Sequence, residues 1–165
     1  MATWYGYIAK ERSEMGKKSN LIEVLVVSGY PNVRRDIMGN LSGEEQIRLE
    51  GQASDVAGLG ALLDKLTPDI VVINDDEKGI KSLDAVKLIN QKVDDPKILL
   101  LIKEYNDEKE LAALKMGVRG FLPETVAKAD FIKCIRAISN GEMWVRRRVM
   151  ERLVQQFLTK RRQIV

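Results

Sequence analysis

The 165-residue chain contains no histidine and one cysteine, Cys134. Without histidine there is no imidazole to act as a general base near neutral pH or to bind a transition metal. A lone cysteine rules out an internal disulfide, and Cys134, set among Phe131, Ile132 and Ile135, reads as a small core filler rather than a reactive thiol. No apolar run approaches the roughly 20 residues that cross a bilayer. Residues 1–20 carry Trp4, Tyr5 and Tyr7 followed by mixed charges, without the apolar stretch of a signal peptide. A reducing cytoplasm is the expected compartment. A Gly-rich phosphate loop of recognised length and a metal-ligand cluster are also missing, so neither a metal, nor a cofactor, nor enzymatic activity is expected.

What remains is an ordinary globular composition, 31% charged and 45% hydrophobic, with its charge unevenly spread. Residues 141–165 hold seven Lys/Arg against two acids, a balance of +5, and residues 1–20 hold four against two. The intervening 120 residues hold 16 against 20, so a mildly acidic body carries a basic C-terminal segment.

From Leu21 onward, short aliphatic runs alternate with amphipathic ones. Val24–Val27 reads as a buried strand, and Pro31 suits the first position of a helix that repeats Val33, Ile37 and Leu41. A weaker strand is expected over Ile47–Gly51. Ser54 or Asp55 can cap a helix with Val56, Leu59, Leu62, Leu63 and Leu66 inward. Ile70–Ile73 reads as the central strand, tipped by Asn74 and Asp75. Ser82 is expected to cap a helix facing inward through Leu83, Val86 and Ile89. Ile98–Ile102, a helix over Asp107–Met116, Gly120–Leu122 and a helix over Thr125–Ser139 complete the pattern. Strands apolar on both faces that alternate with helices predict a parallel sheet covered on both sides, a flavodoxin-like doubly wound (βα)5 fold. In that arrangement ligands sit at the carboxyl ends of the strands. The turn Ser28-Gly29-Tyr30 ahead of a helix offers backbone donors there, so Ser28, Tyr30, Asn74, Asp75 and Glu124 outline a candidate ligand crevice.

Val24–Pro31, Gly51–Asp55, Pro68–Ile73, Met116–Leu122 and Ile138–Trp144 together make residues 21–141 resemble the receiver domain of two-component response regulators, of the type joined to a LuxR-like helix-turn-helix domain. The resemblance implies a phosphorelay switch, and the positions that would run it can be compared singly. Two acids after the first strand would hold Mg²⁺; Ser28 and Gly29 stand there. The phosphoacceptor aspartate is Asn74, the hydroxyl residue ending the fourth strand is Ile102, and the lysine after the fifth strand is Glu124, whose charge would repel phosphate. Asp75, Asp76 and Glu77 read as a solvated acidic loop rather than a displaced acceptor. Phe121 matches the aromatic that changes rotamer in switching receivers; it reads as an ordinary half-buried aromatic, or as one held in a single state by an apolar contact with Ile102.

Three segments are therefore expected: an N-terminal extension over 1–20, the receiver-like domain over 21–141, and a basic amphipathic linker helix over 142–165 that opens a truncated helix-turn-helix domain. Val149, Leu153 and Phe157 mark the apolar stripe of that helix, which is expected to be packed or solvated rather than bound to phosphates. DNA contact is expected only through a helix-turn-helix domain absent from this chain, since no recognition helix is present. The functional expectation is a phosphorylation-independent module, a pseudo-receiver, of a transcription regulator acting through protein contacts or a homodimer. The alternative is a small-molecule sensor using the crevice.

Overall fold

Aliphatic runs too apolar to face water form the centre of the molecule. In the computed structural model, which describes residues 20–76 and 80–164, these runs are strands β1 (Ile22–Val27), β2 (Ile47–Ala53), β3 (Ile70–Asn74), β4 (Ile98–Ile102) and β5 (Gly120–Pro123). They pair in parallel in the order β2-β1-β3-β4-β5, the flavodoxin-like order. Every residue of β3 and β4 is buried, because helices cover both faces.

The helices are α1 (Pro31–Leu41), α2 (Val56–Leu63), α3 (Ser82–Lys92), α4 (Asp107–Lys115), α5 (Lys128–Ser139) and α6 (Arg147–Gln163). One apolar cluster joins the sheet to α2, α3 and α4 through Leu59, Val86, Ile89, Leu111 and Leu114. The other joins it to α1 and α5 through Ile37, Leu41, Phe131, Ile135 and Ile138. Each such side chain stabilises by about 1.5–3 kcal/mol on burial. Cys134 lies fully buried in the second cluster, where desolvation pushes its thiol up to about 12, so it is a core filler and no nucleophile.

Several expected boundaries move for local reasons. β2 continues past Gly51 to Ala53 because its pairing with β1 shifts register between Val24 and Leu25, which leaves Glu50 as an extra residue. Glycine inside a strand often marks such a bulge. Asp55 rather than Ser54 caps α2, accepting from the Gly58 amide at 2.6 Å. Ser82 is the first residue of α3, not its cap; Lys81 precedes it, and the Ser82 hydroxyl donates to Asp75 instead. Leu83 is 40% exposed, contrary to its expected inward position. The fourth helix stops at Lys115, with Gly117 taking the positive φ of +97° that a side chain would resist. α5 begins at Lys128, not Thr125, because Val126 donates to the Pro123 carbonyl in a turn. The expectations for the N-terminal extension, as far as Ser19, and for Glu77 lie outside the described residues.

The chain past α5 returns along the sheet. Trp144 donates to the Arg119 carbonyl at 2.9 Å and accepts from the Phe121 amide at 3.0 Å, so it extends β5 by one bridge. A Cβ on Gly120 would lie 3.0 Å from Trp144 Cβ and 2.8 Å from Ile138 Cδ1. The Ile138 methyl can rotate away, but the pinned Trp144 backbone cannot. Gly120→Ala is expected to cost about 1–3 kcal/mol in urea unfolding; an unchanged midpoint would mean that the Trp144 strap is loose.

Candidate functional site

The parallel register gathers the ends of β1, β3, β4 and β5 on one edge of the sheet. Ser28 and Asn74 are fully buried there, and Ile102 is 6% exposed. The polar groups satisfy one another. Asn74 Nδ2 donates to Glu124 Oε1 at 2.5 Å, and Ser28 Oγ donates to Asn74 Oδ1 at 3.4 Å. A carboxylate only accepts, so Glu124 fixes which way the Asn74 amide points. The Tyr30 amide then donates to Ser28 Oγ at 3.2 Å, and Arg34 Nη1 donates to the Ser28 carbonyl at 2.6 Å. Asp75 Oδ1 accepts from Ser82 Oγ at 2.7 Å. Asp76 is 3% exposed. Its hydrogen bond with the Tyr30 hydroxyl, aided by desolvation, raises the pKa of that phenol.

Of the residues singled out from sequence, Ser28, Asn74 and Glu124 form one chain of hydrogen bonds, and Tyr30 joins it through its amide. Asp75 turns away toward α3. Gly29 contributes no side chain. The donor set does not fit Mg²⁺: Ser28 is committed to Asn74, and among the described residues no three His, Cys, Asp or Glu side chains converge on a point. An amide facing a carboxylate also lacks the nucleophile and the cation that phosphoryl transfer would use. Phe121 is 3% exposed and shares a buried cluster with Ile102 and Leu100.

Beside this polar chain lies a cavity of about 560 Å³ between α3 and α4, with Leu100, Ile102 and Phe121 in its wall. Of the crevice residues proposed from sequence, only Asp75 lines it; Glu124 borders a second cavity of about 190 Å³.

One feature escaped the sequence reading. The start of the basic tail, from Arg146 to Arg152, binds the acidic first turn of α4, while residues 157–164 are exposed. Arg146 Nη2 reaches Asp107 Oδ1 at 2.6 Å and Glu110 Oε2 at 2.5 Å, while its guanidinium lies 4.5 Å from the centre of the Tyr105 ring. Arg148 pairs with Asp107 at 2.7 Å, and Arg152 pairs with Glu108. Val149 is buried beneath them, whereas Phe157, expected on the same stripe, is 72% exposed. Two blocks of opposite charge, Asp107-Glu108-Lys109-Glu110 and Arg146-Arg147-Arg148, were the available signal.

No family model matches the chain. LiaR, a transcriptional regulatory protein of Bacillus subtilis, is 30% identical over 122 residues, which is 74% of this chain and 58% of LiaR. The chain thus spans little more than half the length of that relative. Among solved structures, a LuxR-family two-component response regulator from Aurantimonas matches with a TM-score of 0.71 at 20% identity, over 84% of this chain and 99% of that one. The receiver domain of RcsB from Salmonella enterica, solved with a beryllium fluoride phosphomimetic, matches with a TM-score of 0.68 at 21% identity, covering 81% and 98%. Another RcsB structure contains two dimers bound to two parallel DNAs. Among the described residues no helix is long and apolar enough to cross a membrane.

Proposed function

We propose, for a chain whose homologues are LuxR-class response regulators and whose sheet has the receiver fold, that it is a cytoplasmic regulatory module whose state is not set by phosphorylation at the tip of β3. The observation that carries this reading is the 2.5 Å bond from Asn74 to Glu124. A phosphorylatable site of this fold sets an anionic acceptor against a cation; here a neutral donor meets an anion, and the polarity of the pair is reversed. The pair satisfies itself without metal or phosphoryl group, and restoring one residue leaves the others mismatched. The burial of Phe121 at 3% exposure, in the same apolar cluster as Ile102, supports a single inward rotamer in place of a switch.

Titration with Mg²⁺ and beryllofluoride tests this. The ¹H–¹⁵N spectrum is expected to stay unchanged at Ser28, Asn74 and Phe121; saturable shifts at those residues would overturn the reading.

With the phosphoryl input removed, the output is protein contact, as in the dimers of the RcsB structure. Val154, Phe157 and Leu158 of α6 expose apolar surface suited to a second copy. Sedimentation is expected to show a concentration-dependent dimer that is lost when residues 142–165 are removed. A monomer in both forms would eliminate self-association.

A further inference from the structure

Helix α6 is longer than the contact that holds it. It spans 17 residues, about 25 Å of helix, whereas α4 has nine. Val149 is buried, and Met150 and Leu153 pack partly against the same apolar cluster. Further along, Val154, Phe157 and Leu158 are 50%, 72% and 47% exposed. The rest of the contact is charge, with Arg146 and Arg148 on Asp107, Arg152 on Glu108 and Arg146 also on Glu110. The acidic turn of α4 and the edge of β5 thus make a seat for an extended strap followed by a basic amphipathic helix. Nothing in that recognition requires the strap and helix to belong to the same chain.

The connection that leads into the strap is short and lightly held. Asn140 caps α5, and Gly141 reverses the chain at a φ of +87°, where a Cβ would meet no heavy atom within 4 Å. The Gly141 amide donates to the Ile138 carbonyl at 2.9 Å, and the Glu142 amide to the Ala137 carbonyl at 3.0 Å. Glu142 and Met143 are exposed. The turn therefore rests on backbone geometry rather than on packed side chains. Beyond it, Trp144 joins the edge of β5 through backbone bonds to Arg119 and Phe121, the way a strand from any chain adds to a sheet. Short hinges of this kind invite identical elements to change places between copies. The closed chain and the exchanged pair share the same seat contacts, so the surface newly covered decides between them.

We propose that the chain dimerises by exchange: residues 143–163 of each copy leave their own body and occupy the α4 and β5 seat of the other. The acidic turn of one copy then holds the arginines of its partner. The two α6 helices pass between the bodies side by side, where Val154, Phe157 and Leu158 cover one another and supply the gain that the closed chain lacks. This inference rests on the self-association proposed above and adds the contact through which it occurs.

Charge reversal tests it in the full-length chain. One variant, Asp107→Lys with Glu108→Lys, reverses the seat; the other, Arg148→Glu with Arg152→Glu, reverses the helix; both keep the apolar stripe. In either variant alone, like charges meet in the closed chain and in the exchanged pair, and sedimentation is expected to show mainly monomer. When the two are refolded together from urea, opposite charges meet only across chains. The mixture is expected to form a heterodimer at least tenfold more tightly than either variant pairs with itself. Unchanged ¹H–¹⁵N shifts of β3 and β4 verify that each variant is folded. Should a double variant fail that check, Glu108→Lys and Arg152→Glu repeat the test at a pair whose side chains are 74% and 41% exposed. No gain on mixing, while the parent dimerises, would overturn the exchange and leave self-association standing. A parent that stays monomeric at every concentration would overturn both.

Discussion

Asn74→Asp is expected to lower the unfolding free energy by about 2–4 kcal/mol at neutral pH, the largest effect of any single substitution at the strand tips. The substitution changes little in shape but replaces a donor with an acceptor. It would place a second carboxylate at 2.5 Å from Glu124 Oε1, beside a fully buried position. Ser28 Oγ still donates to it, but one hydroxyl cannot offset two anions in contact. The introduced carboxyl therefore has a folded-state pKa above its unfolded value of about 3.9. For an acid raised in this way the penalty is full above the folded pKa and disappears as pH falls toward the unfolded one. Urea unfolding of the variant and the parent should thus diverge near neutral pH and converge on acidification. Adding Glu124→Lys to Asn74→Asp should recover most of the loss, since an anion would again face a cation. A neutral-pH stability equal to the parent's would mean that Asn74 and Glu124 are not paired in solution.

The second large effect belongs to Arg146. Glu110 is 1% exposed, and Arg146 satisfies both of its carboxylate oxygens, Nε with Oε1 at 3.2 Å and Nη2 with Oε2 at 2.5 Å. The Asn106 backbone amide also donates to Glu110, at 2.9 Å. Arg146→Ala takes both guanidinium bonds from a buried carboxylate and removes the cation stacked on Tyr105. The expected cost is about 2–3 kcal/mol, below the full range for a buried pair because Arg146 itself reaches solvent. Amides of α6 should also lose protection from hydrogen exchange, because Val149 and the Arg148 and Arg152 pairs are held by the same contact. Arg147→Ala is the control: its pair with Glu151 is fully at the surface and should change stability by less than about 0.5 kcal/mol. Equal effects of the two substitutions would show that the contact is superficial. The contact should also weaken in acid. Burial alone would raise Asp107, but Arg146 and Arg148 hold its carboxyl below the usual range. A lowered carboxyl contributes stability present above its ordinary pKa of about 3.9 and lost as pH falls through the folded value.

The fold was legible because its signals are local and strong. Ile70–Ile73 and Ile98–Ile102 are apolar on both faces, which only a doubly covered parallel strand accommodates. Pro31 and Gly117 set helix ends through backbone constraints that do not depend on distant residues. Errors arose where tertiary partners decide. Ser82 has the chemistry of a cap, but Asp75 takes its hydroxyl; Leu83 has helical periodicity, but it faces a cavity. At the site, the sequence singled out Ser28, Gly29, Asn74, Ile102 and Glu124 by comparison with the receiver pattern, and Ser28, Asn74 and Glu124 meet in the structure. It did not reveal that Asn74 and Glu124, 50 residues apart, complement each other. Nor did it reveal that the basic segment binds α4, since opposite charges in sequence carry no distance.

Intact-mass analysis after incubation with acetyl phosphate and Mg²⁺ tests most directly whether the strand-tip pocket accepts a phosphoryl group. The parent chain is expected to keep its mass, and Asn74→Asp alone is expected to gain at most a trace of adduct, because Ser28, Gly29, Ile102 and Glu124 remain. A stoichiometric phospho-adduct on the parent, mapped to Asp75 or Asp76, or efficient Mg²⁺-dependent phosphorylation of Asn74→Asp, would contradict a pocket that is closed on itself.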